Sequence, residues 1–215
     1  MKKLFCASMM CADFGNLASE VHFLEEAGVD MFHIDIMDGS FVPNFALGRQ
    51  DLEFIANATD KPVDVHLMIQ NPGAYVRDFA GLGADIIYIH VESDIHAPRT
   101  IDVIRDAGAS PGIAINPGTS VSTIEPLLPI IDYILVMTVN PGFAGQKYLE
   151  FVNEKIDILI ELKKQYNYRI IIDGACSPGK IKELSDKGAD GFVLGTAALF
   201  IPNKSYKDAM REITS

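Results

Sequence analysis

The chain has 215 residues, of which 48% are hydrophobic and 22% charged. That mixture suits a packed globular unit and excludes a disordered chain, which could not bury enough apolar surface to offset the entropy of ordering. A formal net charge of -11 and a pI near 4.8 exclude a broad nucleic-acid or anionic-membrane surface, since those partners require clustered Lys and Arg.

The amino-terminal stretch MKKLFCASMMCADF starts like a signal peptide, with two lysines and an apolar run, but Asp13 breaks the run early. No later stretch approaches the roughly 20 apolar residues of a membrane span, so no membrane partner is expected. Cys6, Cys11 and Cys176 are an odd, sparse set without zinc-site spacing, which fits a reducing cytoplasm better than a disulfide framework. The expected location is cytoplasmic.

Strand-like apolar runs fall at 4–8, 31–37, 62–69, 85–92, 110–116, 133–139, 169–173 and 191–195. Helical patterning separates them, as in Leu17, Val21 and Leu24 or Ile156, Leu159, Ile160 and Lys163. In four places a helical stretch ends on a glycine just before an apolar run: Gly28, Gly83, Gly108 and Gly188, where a left-handed C-cap is needed. Strict alternation of strand and helix implies a parallel sheet, and eight such units imply one α/β domain over 1–215, a single (β/α)8 TIM barrel. An open doubly wound sheet is the alternative. The absence of G-x-G-x-x-G after the first run removes its dinucleotide-binding version.

Within HIDIMDGSFVPN (33–44) strand alternation puts Phe32, Ile34 and Ile36 on one face and His33, Asp35 and Met37 on the other. A buried carboxylate needs a partner or it neutralises, so Asp35 demands an explanation. The third run places Asp64, His66 and Met68 on one face, and the seventh ends on Asp173. Reactive groups of such barrels sit at the carboxyl ends of strands, where two histidines and two carboxylates suit a divalent first-row ion. Weighed singly, each residue has a plainer reading: a strand histidine is more often a hydrogen-bonded core residue, Asp173 before Gly174 is a possible turn former, and Asp64 reads as a satisfied core carboxylate. His22 and His96 read as surface residues, and His90 as a strand-end histidine that could reach the site although nothing forces it. Glycine-rich turns follow the sixth, seventh and eighth runs: VNPGFAGQ (139–146), DGACSPGK (173–180) and LGTAALF (194–200). Backbone amides there could bind an anion without lysine, which points to a phosphorylated substrate.

The strings HIDIMDGSFVPN, DVHLMI, VMTVNPGFAGQ and IDGA, in that order over nearly the whole chain, resemble the ribulose-phosphate 3-epimerase family of (β/α)8 barrels. The resemblance implies a ribulose-phosphate-binding-barrel site with one divalent metal per subunit, commonly zinc, with Fe, Mn, Co or Mg as alternatives. It assigns the metal to His33, Asp35, His66 and Asp173, with Asp35 and Asp173 doubling as catalytic acid and base. Substrate contacts are implied for Ser8, His66, Met37, Met68 and Met137, and for the phosphate surroundings Gly142, Phe143, Ala144, Gly145, Gly174, Ala175, Gly195 and Thr196. Assembly into a homo-oligomer is also implied.

Some residues depart from the commonest family pattern. The first run reads ASMMCADF where members more often show Pro-Ser followed by Ile-Leu-Ser-Ala-Asp-Phe, and Gly174-Ala175-Cys176 replaces a double glycine. Cys11, Cys176, Thr138 in VMTV and Ala144 in GFAGQ look like the D-allulose 6-phosphate 3-epimerase branch. The expected reaction is therefore D-allulose 6-phosphate to D-fructose 6-phosphate, with D-ribulose 5-phosphate to D-xylulose 5-phosphate as the alternative. The β-carbon of Ala175 leaves the phosphate contact after the seventh run open.

Overall fold

A computed structural model describes residues 2–214. Eight strands alternate with eight helices: β1 (Leu4–Ser8), α1 (Leu17–Ala27), β2 (Met31–Met37), α2 (Arg49–Ala58), β3 (Val63–Met68), α3 (Val76–Gly81), β4 (Ile86–His90), α4 (Ala97–Asp106), β5 (Ser110–Ile115), α5 (Val121–Ile124), β6 (Tyr133–Met137), α6 (Val152–Leu162), β7 (Arg169–Asp173), α7 (Pro178–Lys187), β8 (Gly191–Leu194) and α8 (Tyr206–Thr214). The strands pair in parallel and in sequence order, and β8 returns to β1 to close a (β/α)8 barrel. The open-sheet alternative is excluded. No helix among the described residues is long and apolar enough to cross a membrane.

The elements follow from local chemistry. Helix α1 buries Val21 and Leu24 on its apolar stripe and stops where Gly28 turns left-handed at φ 93°, its N–H closing onto Leu24 and Glu25 carbonyls. Gly83, Gly108 and Gly188 take positive φ at the corresponding places, as their spacing predicts. Helix α7 opens with Ser177 accepting from the Lys180 N–H and Pro178 in its first turn. By contrast α5 is only four residues long, because Pro126 and Pro129 withdraw backbone donors and the chain continues as a 3-10 turn over Glu125–Ile130.

Several strands end before the apolar runs do. The fourth run extends to 92, but β4 stops at His90 because the chain turns there, with Ser93 N–H donating to His90 O at 3.1 Å.

Strand alternation sorts the core into two layers. Phe32, Ile34, Ile36, Val63, Val65 and Leu67 face the helices in one apolar shell. Cys6, Met31, Ile86, Tyr88, Leu135, Ile171 and Val193 fill the barrel interior. Register places inward residues of neighbouring strands side by side: His33 opposite Asp64, Asp35 opposite His66, Met37 opposite Met68, and Met137 opposite Asp173.

Candidate functional site

At the carboxyl end of the barrel His33 and Asp35 from β2, His66 from β3 and Asp173 from β7 converge, each offering a ligand atom within 4.8 Å of the others. Strands β2 and β7 stand three steps apart round the barrel, so Asp35 and Asp173 approach from separate sides of the mouth. Asp35 Oδ1 lies 3.3 Å from both His33 Nε2 and His66 Nδ1, and Asp173 Oδ2 lies 4.0 and 3.7 Å from the same atoms. Ser8 Oγ donates to Asp35 Oδ2 at 3.2 Å.

The two carboxyls are held in different states. Asp35 is buried, which opposes ionisation, but the adjoining His33 and His66 imidazoles outweigh burial and hold it well below the usual carboxylate range. In Asp173 burial wins, reinforced by the charge of Asp35 against the opposing His33, and its pKa is pushed up to about 6. His33 Nε2 is buried without a hydrogen-bond partner and points at these oxygens. An orphaned imidazole nitrogen, a second imidazole and two carboxylates at that spacing are a donor set that fits a divalent cation.

The other ring nitrogens are backed from behind. His33 Nδ1 pairs with Asp64 Oδ1, so the carboxylate read as a satisfied core residue orients a member of the cluster. His66 Nε2 lies 2.8 Å from His90 Nε2, and His90 Nδ1 lies 3.2 Å from Glu92 Oε2. His90, the strand-end histidine within reach of the site, is fully buried beneath it: its inward parity on β4, shared with Ile86 and Tyr88, places it against β3. Glu92 was not singled out by sequence.

Above the cluster one cavity is lined by Ser8, Asp35, Met37, Met68, Met137, Asp173, Gly174, Ala175, Gly195, Thr196 and the loop 142–145. All the sequence-predicted substrate residues are therefore together except His66, which lies fully buried below. Met10, Cys11, Val139, Asn140, Gln146, Cys176, Val193 and Ala197 also line it. No lysine or arginine does, among the described residues, so polar contact at the glycine turns must come from backbone and neutral side chains.

The walls are braced. Asp38 accepts from the N–H groups of Ser40, Phe41 and Gln70 at 2.8 Å, which fixes the loop after β2 against the end of β3. Asn44 Nδ2 donates to Gly142 O at 2.7 Å, joining that loop to the one after β6. Gln146 Nε2 closes the latter on itself through Asn140 O and Phe143 O.

Two marker residues acquire local explanations. Thr138 is buried outside the cavity and its Oγ1 donates to Gly174 O at 2.5 Å, tying β6 to the turn after β7. Ala175 takes φ 48° after Gly174 at 111°, so it keeps the left-handed course a glycine would take, while adding a methyl group to the cavity wall.

Comparison with known proteins accords with this geometry. The ribulose-phosphate 3 epimerase family profile matches residues 4–200. The chain is 41% identical over 207 residues to the ribulose-phosphate 3-epimerase of Synechocystis sp., covering 94% of this chain and 89% of that one. It is 40% identical over 210 residues to the chloroplastic ribulose-5-phosphate-3-epimerase of Arabidopsis thaliana, covering 96% and 74%. Among solved structures, the KGPDC of Streptococcus mutans superposes with a TM-score of 0.75 at 15% identity, covering 98% of this chain and 94% of that one. The tryptophan synthase A-subunit of Pyrococcus furiosus superposes with a TM-score of 0.71 at 13% identity, covering 98% and 96%. At those identities the structures share the fold alone. The profile match over residues 4–200 and the relatives about 40% identical along most of the chain place it in the ribulose-phosphate 3-epimerase family.

Proposed function

We propose that the protein is a metal-dependent ketose-phosphate 3-epimerase that interconverts D-ribulose 5-phosphate and D-xylulose 5-phosphate. The observation that carries the reading is the pair Asp35 and Asp173, converging on His33 and His66 from separate sides of one cavity. Inverting C3 of a ketose requires a proton to leave one face of the carbon beside the carbonyl and another to arrive on the opposite face. Two carboxyls reaching the same centre from β2 and β7 can do this in turn, one as base and one as acid. In the metal-free site their proton affinities are unlike, Asp35 held low and Asp173 raised to about 6, so the two carboxyls are not equivalent partners for a proton.

His33, Asp35, His66 and Asp173 would hold the cation, zinc being the natural choice for this donor set. When bound, it supplies Lewis-acid stabilisation of the negative charge that develops on the substrate oxygens. Ser8 keeps Asp35 oriented through its hydroxyl. Met37, Met68 and Met137 line the cavity with apolar surface, and loop 142–145 closes its rim; together they limit water that would exchange or quench the planar enediolate. The turns at Gly174–Ala175 and Gly195–Thr196, with loop 142–145, form the phosphate end.

The five-carbon substrate rests on the relatives, whose names specify ribulose phosphate, and this favours the alternative over the six-carbon expectation. Two observations still favour D-allulose 6-phosphate as a second reading: Cys11 and Cys176 line the cavity, where side-chain volume can sense substrate length. Thr138 does not support it, because its hydroxyl is occupied by Gly174 O.

Proton NMR in D2O with each sugar phosphate in turn decides between them. The expected result is deuterium entry at C3 with formation of the epimer, faster for D-ribulose 5-phosphate, lost on chelation and restored by a divalent metal. Faster turnover of D-allulose 6-phosphate would reverse the substrate assignment, and exchange with neither would overturn the epimerase reading.

A further inference from the structure

His66 can enter the cluster usefully only if its Nδ1 presents a lone pair; with a proton there it would repel a cation. Which nitrogen carries the proton is decided by what the opposite nitrogen meets. Behind His66 lies a chain that leads away from the cavity. His66 Nε2 is 2.8 Å from His90 Nε2, and His90 Nδ1 is 3.2 Å from Glu92 Oε2. Glu92 is fixed in turn by the loop after β5: its Oε1 accepts from Asn116 N–H at 3.0 Å and from Thr119 Oγ1. Lys155, mostly buried, clamps that loop by donating to Asn116 O at 2.6 Å and Pro117 O at 2.9 Å.

The polarity of the chain follows by elimination. An ionised carboxylate only accepts, so His90 Nδ1 must be the donor to Glu92. A neutral His90 then has only a lone pair on Nε2, so the 2.8 Å contact requires His66 Nε2 to carry the hydrogen. The remaining nitrogen of His66, Nδ1, is left with its lone pair toward Asp35, 3.3 Å away, and Asp173, an arrangement of facing acceptors that a shared cation would reconcile. We propose that Glu92 and His90 are positioning residues for the reaction centre, setting the tautomer of His66 so that its Nδ1 is free to bind the cation. They serve His66 in two steps as Asp64 serves His33 in one. The inference rests on the metal site proposed above and extends it to residues that touch neither the cavity nor the cluster oxygens.

Glu92→Gln tests this sharply, because the change is isosteric. A glutamine can turn its oxygen to Asn116 N–H and Thr119, and its NH2 to His90 Nδ1. That reverses each donor in the chain and puts the hydrogen of His66 on Nδ1. Cobalt(II) affinity of the purified full chain, measured by competition with a chromogenic chelator, is expected to fall about 10- to 100-fold, with a changed visible d–d band and an unchanged melting temperature of the metal-free protein. His90→Phe should weaken binding similarly. His90→Gln, whose amide can both accept from His66 and donate to Glu92, should restore most of the affinity, which a merely space-filling role for His90 would not predict. Affinity and spectrum of the Glu92→Gln variant equal to the parent's would overturn the relay alone. A parent chain that takes up no cobalt would overturn the metal site and the relay together.

Discussion

The two faces of β2 and β3 are equally dry and chemically opposite. Ile34, Val65 and Leu67 on one face and His33, Asp64 and His66 on the other are all fully buried. On the helix side the groups have no polar atoms to satisfy, and packing is their whole contribution. On the barrel side most polar atoms meet a polar neighbour, and His33 Nε2 and Asp64 Oδ2 are left without a hydrogen-bond partner. Burial alone therefore does not tell stability residues from functional ones; the pairing of the buried atoms does.

Substitutions on the two faces should separate those roles. The largest effect is expected for Asp173→Asn, which removes a carboxyl proposed to transfer the proton and should lower kcat by about 10²- to 10⁴-fold. Steady-state epimerisation checks it alongside circular dichroism of the fold; activity within threefold of the parent would sink the two-carboxylate mechanism. On the opposite face Leu67→Ala should do the reverse, costing roughly 2–5 kcal/mol of stability through lost burial and a cavity. Its kcat at 25 °C should stay close to the parent's, and denaturant titration beside kinetics measures both.

A third comparison uses pH on the metal-free protein. The folded pKa of Asp173, about 6, lies above its unfolded value near 3.9, so the native state holds the extra proton between these limits. Stability contributed by that proton is complete below about pH 4 and is lost as pH rises through 6. Asp173→Asn cannot lose it, and should be more stable than the metal-free parent by roughly 1–3 kcal/mol at pH 7.5, with the difference vanishing near pH 4. Melting curves of both proteins in chelator across that range test the sign, and added zinc should reverse the order, because only the parent keeps all four donors.

The smallest effect belongs to the turn after β7. Ala175 sits at φ 48°, a region that disfavours a β-carbon by about 1 kcal/mol. Ala175→Gly should relieve that cost and partly return it as unfolded-chain entropy, leaving a net change within about 1 kcal/mol. Comparing KM for the five- and six-carbon sugar phosphates in this variant shows whether the methyl group in the cavity wall discriminates between them.

Much of the molecule is written in short-range pattern. Alternation along HIDIM and DVHLM assigned the inward residues correctly, because a strand has period two whatever surrounds it. The capping glycines marked four helix ends, since only a residue without a β-carbon turns left-handed there without cost. The convergence of His33, Asp35, His66 and Asp173 followed from their positions near the carboxyl ends of strands in a closed parallel barrel. Strand ends were less legible: β4 stops two residues short of its apolar run, as the turn at Ser93 diverts the chain.

Sequence by itself determined the alternating elements, the closed barrel they imply and the four residues at its mouth, because each depends on local periodicity and strand polarity. Only the tertiary structure decided what stands behind those residues. Strand parity turns His90 inward but does not say which atom it meets, and Glu92 carries no signal that separates it from an ordinary surface acid. Their roles depend on the register between β3 and β4 and on where the β5 loop is held by Lys155, which is a property of packed neighbours and not of any one segment.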